Sequence, residues 1–435
     1  MLDPLTVGIL GLAVFLILVL LGTWIGFAAA TVGLFGIALI KGWPALAGAA
    51  GYIFYAETAS FTLSVIPLFI LMGYFAGYGG LTRDIFYTAR QWLGHFPGGL
   101  AIATAFGCAG FGACSGSSTA TAAVMGKVAI PEMKRYNYDM KLATGTVAAS
   151  GTMAAMIPPS VIMVVYGVLT EQSVGTLLIA GFVPGIMEAV LYSGMIYFRC
   201  RFNPKLGAAL PPASWKERII SLKEPWGILV LIIIIMGGIY GGVFTPTEAG
   251  GIGAFGAFCI VLARRKLTWA NLKESLLETG KTTAMIFVTL VGILILLRLF
   301  ALSGITDTLI SGILGLPWPP VAILILILIL FIFLGMFIAP MAMLMLTLPL
   351  VFPVILKLGY DPIWFGVIAV TMCELAWITP PVAMNVYVVK AVVPEVSTDD
   401  IFRGVMWFFL MDIIRLAIMV AFPAVVLWLP YSMKG

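Results

Sequence analysis

Long apolar stretches recur along the whole chain, with short polar segments between them. Clear examples are residues 5–24, 226–243, 321–337 and 404–429. A helix needs about 17–25 predominantly apolar residues to cross the hydrocarbon core of a bilayer. The pattern therefore predicts an all-α polytopic membrane protein.

Two of the apolar segments are interrupted near their middle, and each fits two short helices better than one crossing. Glycines break residues 97–130, and Gly335 and Pro340 break residues 317–353. We predict a re-entrant hairpin in each segment. The other apolar stretches predict ten crossings, at about 5–24, 26–40, 61–78, 139–170, 176–198, 225–243, 247–264, 281–301, 361–390 and 403–428.

The two halves of the chain resemble each other at a constant offset of about 222 residues. At this offset the Pro158–Pro159 pair of "MIPPS" meets the Pro380–Pro381 pair of "ITPPV". The same register holds without a gap from Pro131 and Pro353 to Val164 and Val386. The prediction is two homologous repeats, residues 1–222 and 223–435, with broken helices at about 139–170 and 361–390.

The number of crossings and the distribution of charge both predict that the repeats are inverted. Five crossings is an odd number, so the second repeat starts on the opposite side of the membrane from the first. Loop 131–141 contains Lys134, Arg135 and Lys141, whereas its counterpart, 353–361, contains only Lys357. Because basic loops stay in the cytoplasm, we expect loops 131–141 and 199–224 to be cytoplasmic and both termini to be outside. Inverted repeats with broken helices are typical of secondary transporters.

Composition narrows the class of protein. The chain is 62% hydrophobic and only 10% charged, with a mean hydropathy of +1.12, which excludes an ordinary soluble enzyme. No basic region precedes the first apolar stretch, so we expect no cleaved signal peptide. The five cysteines show no CxxC spacing, and the single histidine, His95, fits a packing role better than a proton relay. We therefore predict no enzymatic activity, no cofactor and no nucleic-acid partner, and we attribute the net charge of +5 to topology.

The uncharged stretch "GACSGSSTATAAV" at 112–124 admits two interpretations. Small residues with hydroxyls can simply let helices pack closely. Alternatively, the backbone leaves its helix there, and the freed oxygens bind an ion. Proline pairs in both broken helices remove backbone donors, and this symmetry favours the second interpretation. We predict that a cation is bound by the backbone carbonyls of 153–157 and 375–379 and by side-chain hydroxyls. These hydroxyls belong to Ser117, Ser118, Thr119, Ser150, Thr152 and Thr379.

Charged residues within apolar segments are a further class of candidates, because a charge at that depth is costly. Glu374 precedes the second proline pair and faces either the binding cavity or an adjacent helix. Glu188 and Asp412 lie at related positions of the two repeats. Asp412 and Arg415, three residues apart, are predicted to pair on one helix face.

Several motifs resemble the large membrane (M) subunit of tripartite ATP-independent periplasmic (TRAP) transporters. They are "FGACSGSSTATAAVMGKVAIPEMKRYNYD", "AASGTMAAMIPPSVIMVVYG", "SVGTLLIAGFVPGIM" and "TMCELAWITPPVAMNVYVV". The resemblance implies an elevator-type transporter in the bacterial inner membrane, with periplasmic termini. It implies import of a small organic anion, a carboxylate or a sulfonate, coupled to a Na⁺ gradient. The implied partners are a separate small four-helix membrane subunit and a periplasmic substrate-binding protein.

The resemblance also implies site residues. It assigns a first cation region to the first tip and first break, comprising Ser115, Gly116, Ser117, Ser118, Thr119, Ser150, Gly151, Thr152 and Pro158. It assigns a second cation region to Gly335, Ala339, Thr379 and Pro380, with Asn385 close by. The second region has few side-chain oxygens, so it either relies on carbonyls or binds more weakly. The residues implied for substrate are Ser117, Ser118, Thr119, Pro159, Pro340, Glu374 and Pro381.

Two other functions remain as alternatives. One is a stand-alone anion:cation symporter of the wider ion-transporter superfamily, which would need no partner proteins. The other is a channel or scaffold subunit without coupled transport. Uptake that requires a Na⁺ gradient would exclude the latter.

Overall fold

A computed structural model describes residues 3–432, which form helices and connecting loops and contain no β-strand. The helices of the first half are α1 (Pro4–Leu20), α2 (Ile25–Lys41), α3 (Trp43–Thr58), α4 (Val65–Tyr78), α5 (Leu81–Leu93), α6 (Gly99–Ser115), α7 (Ser118–Arg135), α8 (Met140–Ser150), α9 (Met153–Met156), α10 (Val161–Leu169), α11 (Val174–Phe202) and α12 (Trp215–Ser221). A 3₁₀ turn, Phe61–Ser64, leads into α4.

The second half continues with the same kinds of element. Its helices are α13 (Trp226–Tyr240), α14 (Pro246–Ala263), α15 (Trp269–Ser303), α16 (Ile305–Leu314), α17 (Pro320–Gly335), α18 (Pro340–Lys357), α19 (Pro362–Ile378), α20 (Met384–Val392), α21 (Thr398–Ala421) and α22 (Ala424–Ser432).

Six of the described helices are long and apolar enough to cross a membrane, or up to eight if each of two bent helix pairs counts as one span. One bent pair joins Met140–Met156 to Val161–Leu169 at 43°, across the break predicted in 139–170. The polytopic helical class is therefore confirmed, whereas the ten crossings stay a prediction. No helix was predicted where α3, α5, α12 and α16 lie; α3 occupies 43–58, where polar residues and glycines leave no uninterrupted apolar run.

The breaks within the helices occur at matching places in the two halves. The interruption between α6 and α7 spans 116–117, and that between α17 and α18 spans 336–339, close to the predicted tips. Gly80 and Gly304, which each precede a short helix, both adopt left-handed backbone conformations, with φ of 73° and 71°. Both proline pairs are cis. We call α6–α7 the first hairpin and α17–α18 the second hairpin.

Two hydrophobic clusters hold these elements together. One contains side chains of α1, α2, α4 and α13–α19, including the second hairpin. The other contains the first hairpin with α8, α20, the start of α21 and the later part of α11. Close helix crossings depend on glycine: a Cβ on Gly292 of α15 would collide with the Gly26 carbonyl of α2, and one on Gly404 of α21 with the Lys141 carbonyl of α8. The two hairpins thus pack in different surroundings.

Candidate functional site

A cavity of about 220 Å³ lies where the tips of the two hairpins approach each other. Its lining includes the first residues of five helices, α2, α7, α10, α18 and α20. The opposite wall is largely apolar and comes from α2, α4 and α15. The residues that line the cavity are Trp24, Ile25, Ile70, Gly116, Ser117, Ser118, Thr119, Val161, Ile162, Thr282, Met285, Ile286, Thr289, Ala339, Pro340, Met341, Ala342, Trp377 and Met384.

The electrostatics of this cavity come from helix starts and not from charged side chains. Among the described residues that line the cavity, none is Lys, Arg, His, Asp or Glu. Each helix start contributes a partial positive charge equivalent to about half an elementary charge, which arises from N–H groups that have no partner within the helix. Five helix starts that line one small volume therefore favour an anion without any basic side chain.

Local sequence explains the turn at the first tip. Gly116 adopts φ of 57°, a left-handed conformation that glycine reaches without steric cost. Ser117 then caps α7, its hydroxyl accepting a hydrogen bond from the Ala120 N–H at 3.4 Å. A Cβ on Gly116 would lie 3.0 Å from the Pro159 carbonyl oxygen, so the tip rests directly on the first break.

The tip and the broken helix meet again at Asn385. Its amide nitrogen donates to the Ser118 hydroxyl and to the Ala148 carbonyl, each at 2.8 Å. Gly151 leaves room for this contact, since a Cβ there would lie 3.2 Å from the Asn385 Nδ2. Sequence reasoning put Asn385 beside the second cation region, whereas its side chain lies in the first. The αL conformation of Ala383, at the start of α20, turns the chain before Asn385.

Two buried oxygens in this first region have no hydrogen-bond partner among the described residues. They are the Ser150 hydroxyl and the Asn385 carbonyl Oδ1, and both residues are fully buried. Leaving a buried acceptor unsatisfied costs about 1–3 kcal/mol. Such oxygens suit a hard monovalent cation, which would satisfy them.

Some of the backbone carbonyls that were expected to lack a hydrogen bond near the breaks accept one. The Ser160 hydroxyl donates to the Ala155 carbonyl, and the Ile157 N–H donates to the Met153 carbonyl at 2.9 Å. In the second break the Thr379 hydroxyl donates to the Leu375 carbonyl at 2.6 Å. Backbone N–H groups and hydroxyls around a break thus donate hydrogen bonds to some of the carbonyls that lose their helical partners at the proline pair.

The residues of the predicted second cation region are linked mainly through backbone and small side chains. The Val382 N–H donates to the Met336 carbonyl at 3.3 Å and ties the second break to the second tip. Gly335 packs against Ala376, where a Cβ would lie only 2.5 Å from the Ala376 Cβ. The Thr379 hydroxyl is the side-chain oxygen predicted there, and it is 8% exposed.

The predicted site residues therefore fall into separate groups. The cavity brings together Gly116, Ser117, Ser118, Thr119, Ala339 and Pro340. Ser115 lies just behind the first tip, its hydroxyl 2.8 Å from that of Thr121. Three predicted substrate residues, Pro159, Glu374 and Pro381, are not among the described residues that line the cavity. Pro158 belongs to the first break and Pro380 to the second. Pro380 and Thr379 also line a separate pocket.

Glu374 instead belongs to a buried ionic cluster. The Arg415 guanidinium contacts Glu188 through Nη1, and through Nη2 it contacts Glu374 at 2.5 Å and Asp412 at 3.3 Å. All four side chains are completely buried. We call these four residues the Arg415 cluster. The predicted Asp412–Arg415 pair is confirmed, but the sequence did not indicate that one arginine contacts three carboxylates from α11, α19 and α21.

The Arg415 cluster reaches the first break through Thr152. The Thr152 hydroxyl lies within hydrogen-bond distance of Glu188 Oε1, at 3.2 Å, and of the Ala149 carbonyl, at 2.6 Å. The Tyr192 hydroxyl donates to Asp412 Oδ2 at 2.8 Å. The cluster therefore joins the break at 151–160 to the helix that leads into the second break.

Comparison with known proteins extends this picture. The family described as "Tripartite ATP-independent periplasmic transporter, DctM component" matches residues 12–425. A C4-dicarboxylate TRAP transporter large permease protein DctM from Pseudomonas aeruginosa is 36% identical over 86% of this chain and 88% of its own length. A sialic acid TRAP transporter large permease protein SiaM from Vibrio cholerae is 34% identical over 95% of this chain and 98% of its own.

Solved structures show a similar fold at low sequence identity. The YdaH transporter of Alcanivorax borkumensis aligns with a TM-score of 0.59 and 15% identity, over 87% of this chain and 90% of its own. MtrF of Neisseria gonorrhoeae aligns with a TM-score of 0.58 and 14% identity, over 96% and 95%. At these identities the likeness concerns the fold alone.

Proposed function

The chain belongs to the DctM component family of tripartite ATP-independent periplasmic (TRAP) transporters, and we propose that it imports a small organic anion driven by a Na⁺ gradient. It is a multi-pass membrane protein of a transporter family. The observation that carries the proposal is the cavity between the hairpins, where the starts of five helices line a volume and none of the described lining residues is charged.

A carboxylate or sulfonate is the class of substrate that this cavity favours. An anion near a helix N-terminus is stabilised by roughly 0.3–1 kcal/mol, and by more where the site is dry. The hydroxyls of Ser117, Ser118 and Thr119 add donors around the same volume. Relatives are named for C4-dicarboxylate, sialic acid and isethionate, all of them acids, which is consistent with this class.

Na⁺ is the proposed coupling ion, and we propose no cofactor. The proposal is supported by the unpartnered buried oxygens of Ser150 and Asn385 and by the hydroxyls nearby. The first cation region supplies side-chain oxygens, whereas the second relies mainly on backbone carbonyls.

We expect uptake in reconstituted vesicles to follow an inward Na⁺ gradient, because neutral oxygens dominate both proposed cation regions. The chain is reconstituted with its partners, and Na⁺ and pH gradients are imposed separately. Substrate accumulation with a pH gradient alone, in Na⁺-free buffer, would rule out Na⁺ coupling. Flux that ignores both gradients would favour the channel or scaffold alternative.

Transport is proposed to occur by an elevator movement of inverted repeats. In this scheme the hairpins, with the broken helices and α11 and α21, move against α1–α4 and α13–α15. Matching breaks, at 116–117 and 336–339, support the repeats 1–222 and 223–435. The apolar wall that Ile25, Met285 and Ile286 present to the tips suits a sliding contact.

The proposed setting is the bacterial inner membrane, with both termini in the periplasm. The proposed partners are a separate small four-helix membrane subunit and a periplasmic binding protein that delivers the substrate. Exposed apolar residues on the first three helices, such as Ile17 at 55%, Phe35 at 58% and Tyr55 at 77%, offer a surface for that subunit as well as for lipid.

We expect the chain to purify as a stable heterodimer with the small subunit. The chain is purified in mild detergent with and without that subunit, and uptake is compared after reconstitution with the binding protein. Full Na⁺-dependent uptake by the isolated chain plus the binding protein would contradict this assignment and favour the stand-alone symporter.

A further inference from the structure

Residues 198–226 place exposed aromatic and aliphatic side chains next to basic ones. Phe202 is 84% exposed, Trp215 70%, Ile219 59% and Trp226 43%. The same segment contains Arg199, Arg201, Lys205, Lys216, Arg218 and Lys223. We call residues 198–226 the basic surface segment.

None of these six cations forms an ion pair with a described carboxylate. The ion pairs of the described residues lie elsewhere, as in Lys134–Glu395 at 2.8 Å and Lys141–Asp400 at 3.1 Å. Glu217, within the segment, caps α12 by accepting from the Ser214 N–H at 2.8 Å. The segment therefore has a surplus of positive charge that the rest of the fold does not neutralise.

Two of the arginines are already arranged against aromatic rings. The Arg218 guanidinium lies 5.1 Å from the centre of the Trp215 ring, and its Nη2 is 3.4 Å from His95 Nδ1. The Arg218 Nε has no hydrogen-bond partner among the described residues. Arg199 lies 4.8 Å from the centre of the Trp407 ring. Aromatic rings beside cations are typical of the membrane–water interface.

The basic surface segment is held by hydrogen bonds against α5 and the residue that follows it. The Thr88 hydroxyl donates to the Ser221 carbonyl at 2.7 Å, and the Trp92 indole donates to the Arg218 carbonyl at 3.2 Å. The Leu210 N–H donates to the Gly94 carbonyl at 2.9 Å. These bonds fix one face of the segment inward, so the apolar and basic side chains project outward together.

We propose that the basic surface segment lies in the membrane interface and binds anionic phospholipids. Its exposed rings and aliphatic side chains would enter the acyl boundary, and its unpaired cations would contact headgroup phosphates. The positive-inside rule predicts this segment on the cytoplasmic side, where anionic lipids provide the matching charge. This inference does not depend on the proposed substrate or coupling ion.

The test compares two triple variants that lose equal charge. In the first, Lys205, Lys216 and Lys223 of the segment are changed to glutamine; all three are exposed and unpaired. In the control, Lys134, Lys141 and Lys281, which pair with Glu395, Asp400 and Glu278, are changed to glutamine. Native mass spectrometry of the full chain measures retention of phosphatidylglycerol relative to phosphatidylcholine, and thermal unfolding checks that each variant is folded.

We expect the wild type and the control to prefer phosphatidylglycerol, and the segment variant to lose about tenfold or more of that preference. A preference within twofold of wild type in the segment variant would overturn the proposal. An equal loss in the control would also overturn it, because the effect would then follow net charge. Displacement of the lipid by inorganic phosphate at matched concentration would identify a free-anion site instead of a lipid site.

Discussion

Arg415→Met is expected to destabilise the protein by about 3–5 kcal/mol and to abolish transport, because removing one partner leaves buried charge uncompensated. Arg415 contacts Glu188, Glu374 and Asp412, and all four side chains are completely buried. The substitution would leave three buried carboxylates without their shared cation. The measurements are folded yield, thermal unfolding in detergent, and substrate uptake at matched protein amounts.

A matched control lies on the same helix. Arg403 of α21 has a side chain 68% exposed, and it lies 3.7 Å from Asp399. Arg403→Met should therefore change stability by less than about 1 kcal/mol, as for other exposed ion pairs. If Arg415→Met matches Arg403→Met in yield and uptake, the Arg415 cluster has no essential role.

The Arg415 cluster also predicts an asymmetry between its members. Because three carboxylates share one guanidinium, neutralising one carboxylate removes repulsion as well as attraction. Glu188→Gln should therefore be tolerated far better than Arg415→Met, while its amide oxygen can still accept from Thr152. Combining the two substitutions should recover part of the stability that Arg415→Met loses, which a double-mutant cycle would measure.

The helical membrane class and the positions of the breaks were predictable from the sequence, because breaks leave strong local signs, whereas the inverted repeats stay a prediction. Glycines and proline pairs within apolar runs marked both hairpins and both broken helices. Helix α3 was missed because Tyr52, Tyr55 and Thr58 interrupt its apolar pattern, and hydropathy alone gives such a helix no clear signature.

The site was less predictable because its contacts join residues far apart in the chain. The Ser118 and Ala148 contacts of Asn385 span 267 and 237 residues, so no local pattern could place the amide in the first region. The hydroxyl-rich first tip lines the cavity, and its role in binding a cation or substrate stays a prediction. The sequence had left open whether Glu374 faces the binding cavity or an adjacent helix. Glu374 pairs with Arg415 and therefore does not face the cavity.

The second large effect is expected at the first tip. Ser118→Ala and Asn385→Ala should each weaken the apparent Na⁺ affinity by about ten- to a hundredfold, because a hydrogen bond or ligand contact to a charged group is worth roughly 1.5–3 kcal/mol. Asn385 Nδ2 donates to the Ser118 hydroxyl at 2.8 Å, and the side-chain Oδ1 of Asn385 is buried without a hydrogen-bond partner among the described residues. Uptake is measured against Na⁺ concentration, together with Thr119→Ala and Thr152→Ala.

Ser303→Ala is the matched control for this series. Ser303 is also buried, at 5% exposure, and its hydroxyl donates to the Phe300 carbonyl at 3.0 Å at the end of α15, away from the cavity lining. A close-packing role predicts little effect at Ser118, since serine and alanine are similar in volume. A cation role predicts that half-saturation for Na⁺ rises in the Ser118 and Asn385 variants and stays unchanged in Ser303→Ala. If all the tip variants keep wild-type half-saturation for Na⁺ and for substrate, the hydroxyls at 115–119 serve helix packing, and the cation is bound by backbone oxygens or elsewhere.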